Sequence, residues 1–83
     1  MAGMEPITVT TKEAAGRHRG VTALEMSKLC LRGKYLAKVY GGASRVPERE
    51  RRTALFAKRV RNRWMIPISE LDRLFLSHEN QSL

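Results

Sequence analysis

Apolar residues fall along this chain in short periodic groups, separated by polar, glycine-bearing or basic joints. The first group, Ile7-Thr8-Val9 after Pro6, is rich in β-branched residues and predicts a brief strand. Thr10 or Thr11 then caps a helix over Lys12-Glu13-Ala14-Ala15, because a threonine hydroxyl accepts from an otherwise unpaired backbone N–H two or three residues on. Gly16 shortens that helix, which fades by His18, and Arg17-His18-Arg19-Gly20 forms a turn. Thr22 and Glu25 stand at the spacing of a capping box, in which each side chain satisfies the other's backbone donor. A second helix is expected from Ala23 to Arg32, ending at Gly33, since glycine tolerates the left-handed conformation of a helix end.

On that second helix Met26, Leu29 and Cys30 share a face, while Glu25, Ser27, Lys28 and Arg32 point away from it. Leu24 and Leu31 fall outside the apolar face. They either widen the buried arc or form a small exposed patch for a partner, and burial is the ordinary fate of leucine. Residues 35–40, Tyr-Leu-Ala-Lys-Val-Tyr, have the pattern of a strand ended by Gly41-Gly42. Residues 43–53 are polar, basic and interrupted by proline, hence a loop, in which Pro47 can open a short helical turn. Residues 53–60 and 63–67 make a tight hairpin about Arg61-Asn62, asparagine accepting positive φ more readily than most residues. Alternation along Arg63-Trp64-Met65-Ile66 sends Trp64 and Ile66 to one face and Arg63 and Met65 to the other. Trp64 is therefore expected in the core and not as a base-stacking residue. Ser69 caps a third helix whose apolar side is Leu71, Leu74 and Phe75.

Eighty-three residues suit one small domain, taken here as residues 7–77 with flexible ends at 1–6 and 78–83 and an inserted basic loop at 41–53. Sixteen Lys and Arg against eight Asp and Glu give a net charge of +8, which points to a polyanionic partner. The excess is concentrated. Arg45, Arg49, Arg51, Arg52, Lys58, Arg59, Arg61 and Arg63 face only Glu48 and Glu50 in residues 45–63. Such a run lacks the interspersed signs of an ordinary solvated surface and reads as phosphate-binding. One cysteine, Cys30, cannot make an internal disulfide, so a reducing cytoplasm fits best, and Cys30 itself reads as a small core residue. No apolar run approaches the ~20 residues of a membrane span.

Catalysis finds no support in the sequence. His18 and His78 have no Cys or carboxylate at metal-ligand spacing, Ser27, Ser44 and Ser69 have no base-and-orienter set, and Gly41-Gly42 alone is no phosphate loop. No enzyme activity, cofactor or metal is expected.

The order of elements, two short helices, a basic hairpin and a further helix, is that of an α+β winged helix-turn-helix with three helices and a basic β wing. The residues resemble the excisionase and MerR-type DNA-binding domains more closely still. ITVTTKEAA looks like their strand-then-helix opening, VTALEMSKLCLRG like their second helix, and RNRWMIPISELDRLF like their wing exit. The likeness spans residues 7–76 and is interrupted by the insertion centred on GGASRVPERERRT. Three wings are compatible with it: strands 35–40 and 63–67, strands 54–60 and 63–67, or all three as one sheet with the basic loop at its edge. The last is the favoured expectation.

The resemblance implies a recognition helix in the major groove and a wing over neighbouring phosphates or the minor groove. Carried onto this chain, Ser27, Lys28 and Arg32 would face DNA, with Thr22 and Glu25 near the start of the helix. Arg59, Arg61 and Arg63 would be wing contacts, and Arg49, Arg51 and Arg52 would add cations from the insertion. For Glu25 the capping box already explains the residue, ahead of a cytosine contact. Lys12 and Arg17 are candidates for phosphate contacts or plain surface. The implied function is that of an excisionase, a recombination directionality factor of a phage or mobile element, which bends double-stranded DNA and assists a site-specific integrase. A MerR-type regulator ordinarily continues into a coiled coil, whereas this chain stops soon after its third helix. The implied partners are double-stranded DNA, an integrase and neighbouring copies on DNA, in the cytoplasm and nucleoid of a bacterial host. The alternatives are a stand-alone winged-helix transcriptional regulator and, from another class, an RNA-binding or protein-tethering module.

Overall fold

The computed structural model describes residues 8–76; the expectations for residues 1–7 and 77–83, including Ile7 in the first strand and His78, lie outside them. The chain is a small α+β unit in which four α-helical segments surround a three-stranded antiparallel sheet. Strand β1 (Thr8–Val9) leads into α1 (Thr11–Arg17), then α2 (Ala23–Tyr40), a 3-10 turn (Ala43–Arg45), α3 (Glu48–Arg51), the hairpin β2 (Lys58–Val60) and β3 (Arg63–Pro67), and α4 (Ile68–Leu71). The last helix runs on into π-type turns over Asp72–Leu76. No helix among the described residues is long and apolar enough to cross a membrane.

Both early helices begin in full capping boxes. Thr10 Oγ1 accepts from Glu13 N at 3.2 Å while the Glu13 carboxylate accepts from Thr10 N at 2.8 Å. Thr22 and Glu25 repeat the arrangement at 3.1 and 2.9 Å. Two pairs of helix-end donors that would otherwise be orphans are satisfied locally.

The second helix does not end at Gly33. It continues to Tyr40, so residues 35–40 are helix and not strand, and the left-handed terminus is Gly41 at φ +82°. The backbone N–H groups of Gly41 and Gly42 both donate to Ala37 O. The buried positions Met26, Cys30, Gly33 and Leu36 lie at helical spacing, which overrides the β-like look of a six-residue run of tyrosine, leucine and valine. Gly33 serves packing instead. The chain at Leu55 and Phe56 crosses the helix directly above it, and a Cβ there would lie 2.8 Å from the Leu55 carbonyl carbon and nearer still to its oxygen. That approach lets Leu55 N donate to Leu29 O at 3.1 Å.

With residues 35–40 in a helix, the third strand of the sheet is β1. The order is β1-β3-β2, with Thr8 opposite Pro67, Val9 opposite Ile66, and Arg59 opposite Trp64. The inserted loop is partly helical: α3 follows Pro47, and Val46 is buried with Leu36 and Ala54 in a small second cluster against Phe56. The main core gathers Val9, Ala14, Met26, Cys30, Leu55, Trp64, Ile66, Leu71 and Leu74. At the last helix Leu71 and Leu74 are buried as the pattern requires, but Ser69 is not the cap; the helix starts at Ile68 behind Pro67, with no side-chain cap bond. Leu24 and Leu31 are not buried either: they are 65% and 51% exposed.

Candidate nucleic-acid interface

The hairpin is built by its turn. Arg61 and Asn62 both take positive φ, 49° and 67°, the combination of a two-residue turn whose twist matches that of the strands it joins. Every residue of β2 is exposed, whereas β3 alternates: Arg63 exposed, Trp64 buried, Met65 half-buried, Ile66 buried. Trp64 is thus the anchor that ties the hairpin to the core, at 5% exposure. Arg59, its cross-strand partner, lies over the indole with its guanidinium carbon 5.2 Å from the ring centroid. That stacking holds the guanidinium against the ring, and Arg59 stays exposed to solvent.

Two adjoining recesses open between this hairpin and α2. The larger, about 610 Å³, is lined by Thr10, Thr11, Lys12, Ser27, Leu31, Arg59, Asn62, Arg63 and Trp64. The smaller, about 370 Å³, adds Lys34 and Lys58 and shares Arg59 and Trp64. Five cations therefore converge here, Lys12, Lys34, Lys58, Arg59 and Arg63, and among the described residues no carboxylate lines either recess. Ser27 of α2 shares the larger recess with Arg59, Asn62 and Arg63 of the hairpin.

Other expected contacts go elsewhere. Lys28, Glu25 and Arg32 line a third recess on the opposite flank of α2, with Val21, Leu29, Thr53 and Phe75. Arg32 does not stand free: its Nε donates to Thr53 Oγ1 at 2.8 Å and its Nη2 pairs with Glu50 at 3.3 Å. Thr22 and Glu25 are engaged in the capping box. Hydrogen bonds from the Thr22 backbone and hydroxyl hold the Glu25 carboxyl below its ordinary value. Arg61 is exposed at the hairpin tip. In the insertion Arg49 and Arg52 are exposed, while Arg51 donates to Ala43 O at 3.1 Å and lies over the Phe56 ring.

Two contributors, Lys34 and Arg73, escaped the sequence pattern, and Lys58, already part of the basic run, gains its place from the strand pairing. Lys34 shares a face with Ser27 only on a helix that continues through Gly33. Lys58 enters with the β2 register. Arg73 is structural: it donates to Arg51 O, Ala54 O and both oxygens of Glu70, over the Phe56 ring, and so clamps the insertion to α4. Burial disfavours an ionised Glu70, yet hydrogen bonds from Arg73 and Phe56 N, with the charges of Arg73 and Arg51, outweigh it and hold the carboxyl below its usual range. No protein-family profile, curated protein or solved structure matches this chain.

Proposed function

We propose that the chain is a winged-helix DNA-binding protein that acts as an excisionase, bending double-stranded DNA and assisting an integrase in excision. The observation that carries the reading is the pair of recesses between α2 and the hairpin, where Lys12, Lys34, Lys58, Arg59 and Arg63 converge without a described carboxylate among them. A phosphate backbone is the ligand that repays such a gathering of cations, because each neutralised phosphate releases condensed counterions. α2 supplies the helix for the major groove and the hairpin the arm beside it.

Binding of a B-form duplex, followed by fluorescence anisotropy across salt concentrations, tests the DNA reading. Five phosphate contacts give a log–log salt slope of about −4 to −5, and Arg63→Ala lowers its magnitude by about 0.9. Arg63 is chosen because it lines the larger recess, whereas Arg61 stands at the hairpin tip at positive φ. Equal affinity for A-form RNA, whose major groove excludes a helix, would defeat the reading. The excisionase role has its own test: the protein raises the excision-to-integration ratio of its integrase. An unchanged ratio with DNA binding intact leaves a stand-alone transcriptional regulator.

A further inference from the structure

The exposed face of α2 carries leucine where a DNA-facing helix is expected to be polar. Leu24, Ser27, Lys28 and Leu31 stand at i, i+3, i+4 and i+7, so they form one patch. Leu24 and Leu31 are 65% and 51% exposed, and Leu31 sits on the wall of the cationic recess beside Ser27, Arg59 and Arg63. An apolar side chain in such surroundings needs an apolar group presented by a polyanion. The major groove offers one, the C5-methyl of thymine.

We propose, resting on the DNA-binding reading above, that Leu24 and Leu31 select thymine by packing on its C5-methyl group. The two leucines are two helical turns apart, about 10 Å along the axis, which spans about three base-pair steps. Ser27, which lines the cationic recess with Leu31, supplies a polar contact to a neighbouring base edge or phosphate. The surrounding charge argues for duplex DNA over a second copy of this chain as the occupant. Lys28 lies within the patch, and Lys34, Arg59 and Arg63 lie beside it, so a like-charged protomer meets repulsion where a polyanion meets attraction.

The test isolates the methyl group. A random-sequence duplex library of about 30 bp, roughly three turns of B-DNA, is selected for binding, and enriched duplexes are remade with deoxyuridine replacing single thymines, which removes the methyl and keeps every hydrogen-bonding group. At the contacted positions wild type is expected to bind the deoxyuridine duplex about fourfold more weakly, the weight of one buried methyl-sized group. Leu31→Ala, at an exposed position that folding does not require, loses the preference at one contacted thymine and keeps it at the other, and the Leu24→Ala, Leu31→Ala double variant binds the thymine and deoxyuridine duplexes equally. If wild type binds tightly but ignores every thymine-to-deoxyuridine change, the leucine proposal is wrong and the DNA reading survives. If no duplex is retained at low salt, the DNA reading itself fails. If the double variant keeps the thymine preference but abolishes cooperative binding to tandem sites, the leucines cover a second copy and the proposal is overturned.

Discussion

Gly33→Ala tests the packing of α2 against the segment that leads into the hairpin. A methyl group at residue 33 points into the backbone of the crossing segment, 2.8 Å from the Leu55 carbonyl carbon and 3.4 Å from Phe56 Cα. Backbone cannot swing aside as the end of a flexible side chain does, so either α2 or residues 54–57 must shift. A shift stretches the bond from Leu55 N to Leu29 O, now 3.1 Å, at a position where Leu55 is fully buried. Overpacking costs about 1–3 kcal/mol and an orphaned buried N–H about 1–3 more. Alanine's better helix propensity returns about 1 kcal/mol. The net loss is about 3 kcal/mol, a large part of the ~5–10 kcal/mol that holds a domain of this size.

Urea denaturation followed by circular dichroism measures it directly, and Gly16→Ala provides the opposite sign. Gly16 lies in α1, and a methyl group added there would meet no atom within 4 Å. Alanine at that position is expected to stabilise by about 0.5–1 kcal/mol. A Gly33→Ala protein as stable as wild type would refute the close crossing, and with it the path by which β2 reaches α2. On the proposed DNA-binding reading the same variant also loses DNA affinity where it remains folded, since residues 55–57 lead straight into Lys58 and Arg59.

Glu70 makes stability depend on acid: its folded-state pKa lies below the ordinary 4.5, so its contribution is present above that value and is lost as pH falls through the folded one. The wild-type urea midpoint is expected to drop below about pH 4.5, and Glu70→Gln to flatten that drop; parallel curves would refute the clamp of Glu70 and Arg73. Burial pushes the Cys30 thiol up to about 12, so iodoacetamide at mildly alkaline pH should modify the native protein far more slowly than the urea-unfolded chain, and equal rates would place Cys30 outside the core.

Local devices are legible in the sequence because their partners lie close together along the chain. The Thr22 and Glu25 pair reads as a capping box within one turn, and Trp64 with Ile66 reads as core because a strand alternates. Arg61-Asn62 reads as a turn for the same kind of reason. Residues 35–40 mislead because a short run containing Tyr, Leu and Val suits either a strand or a buried helix face, and only tertiary contact decides. That contact is Leu55 on Gly33, twenty-two positions later in the chain. Its consequences spread: a helix cut short at Gly33 loses Lys34 from the interface and gives the sheet a wrong third strand in place of β1. Arg73 is illegible because all its acceptors except Glu70 come from the insertion and the segment just after it.

The cations consequently divide by what they already bind. Arg32, Arg51 and Arg73 have protein acceptors at 2.8–3.3 Å, which fix the direction of each guanidinium. Lys12, Lys34, Lys58, Arg59, Arg61 and Arg63 have no ion-pair partner among the described residues. Net charge alone would rank the insertion, with Arg49, Arg51 and Arg52 close together, as the main polyanion site. The hydrogen bonds argue otherwise: Arg51, the middle cation of that group, holds the 3-10 turn, and Glu50 holds Arg32, so the insertion braces the distal half of α2 through Leu36, Val46 and Ala54. A braced α2 keeps Ser27 and Leu31 at a set distance from the hairpin. On the proposed DNA-binding reading, the insertion positions the interface, with Arg49 and Arg52 exposed at its edge, and the cations of α1, α2 and the hairpin form it.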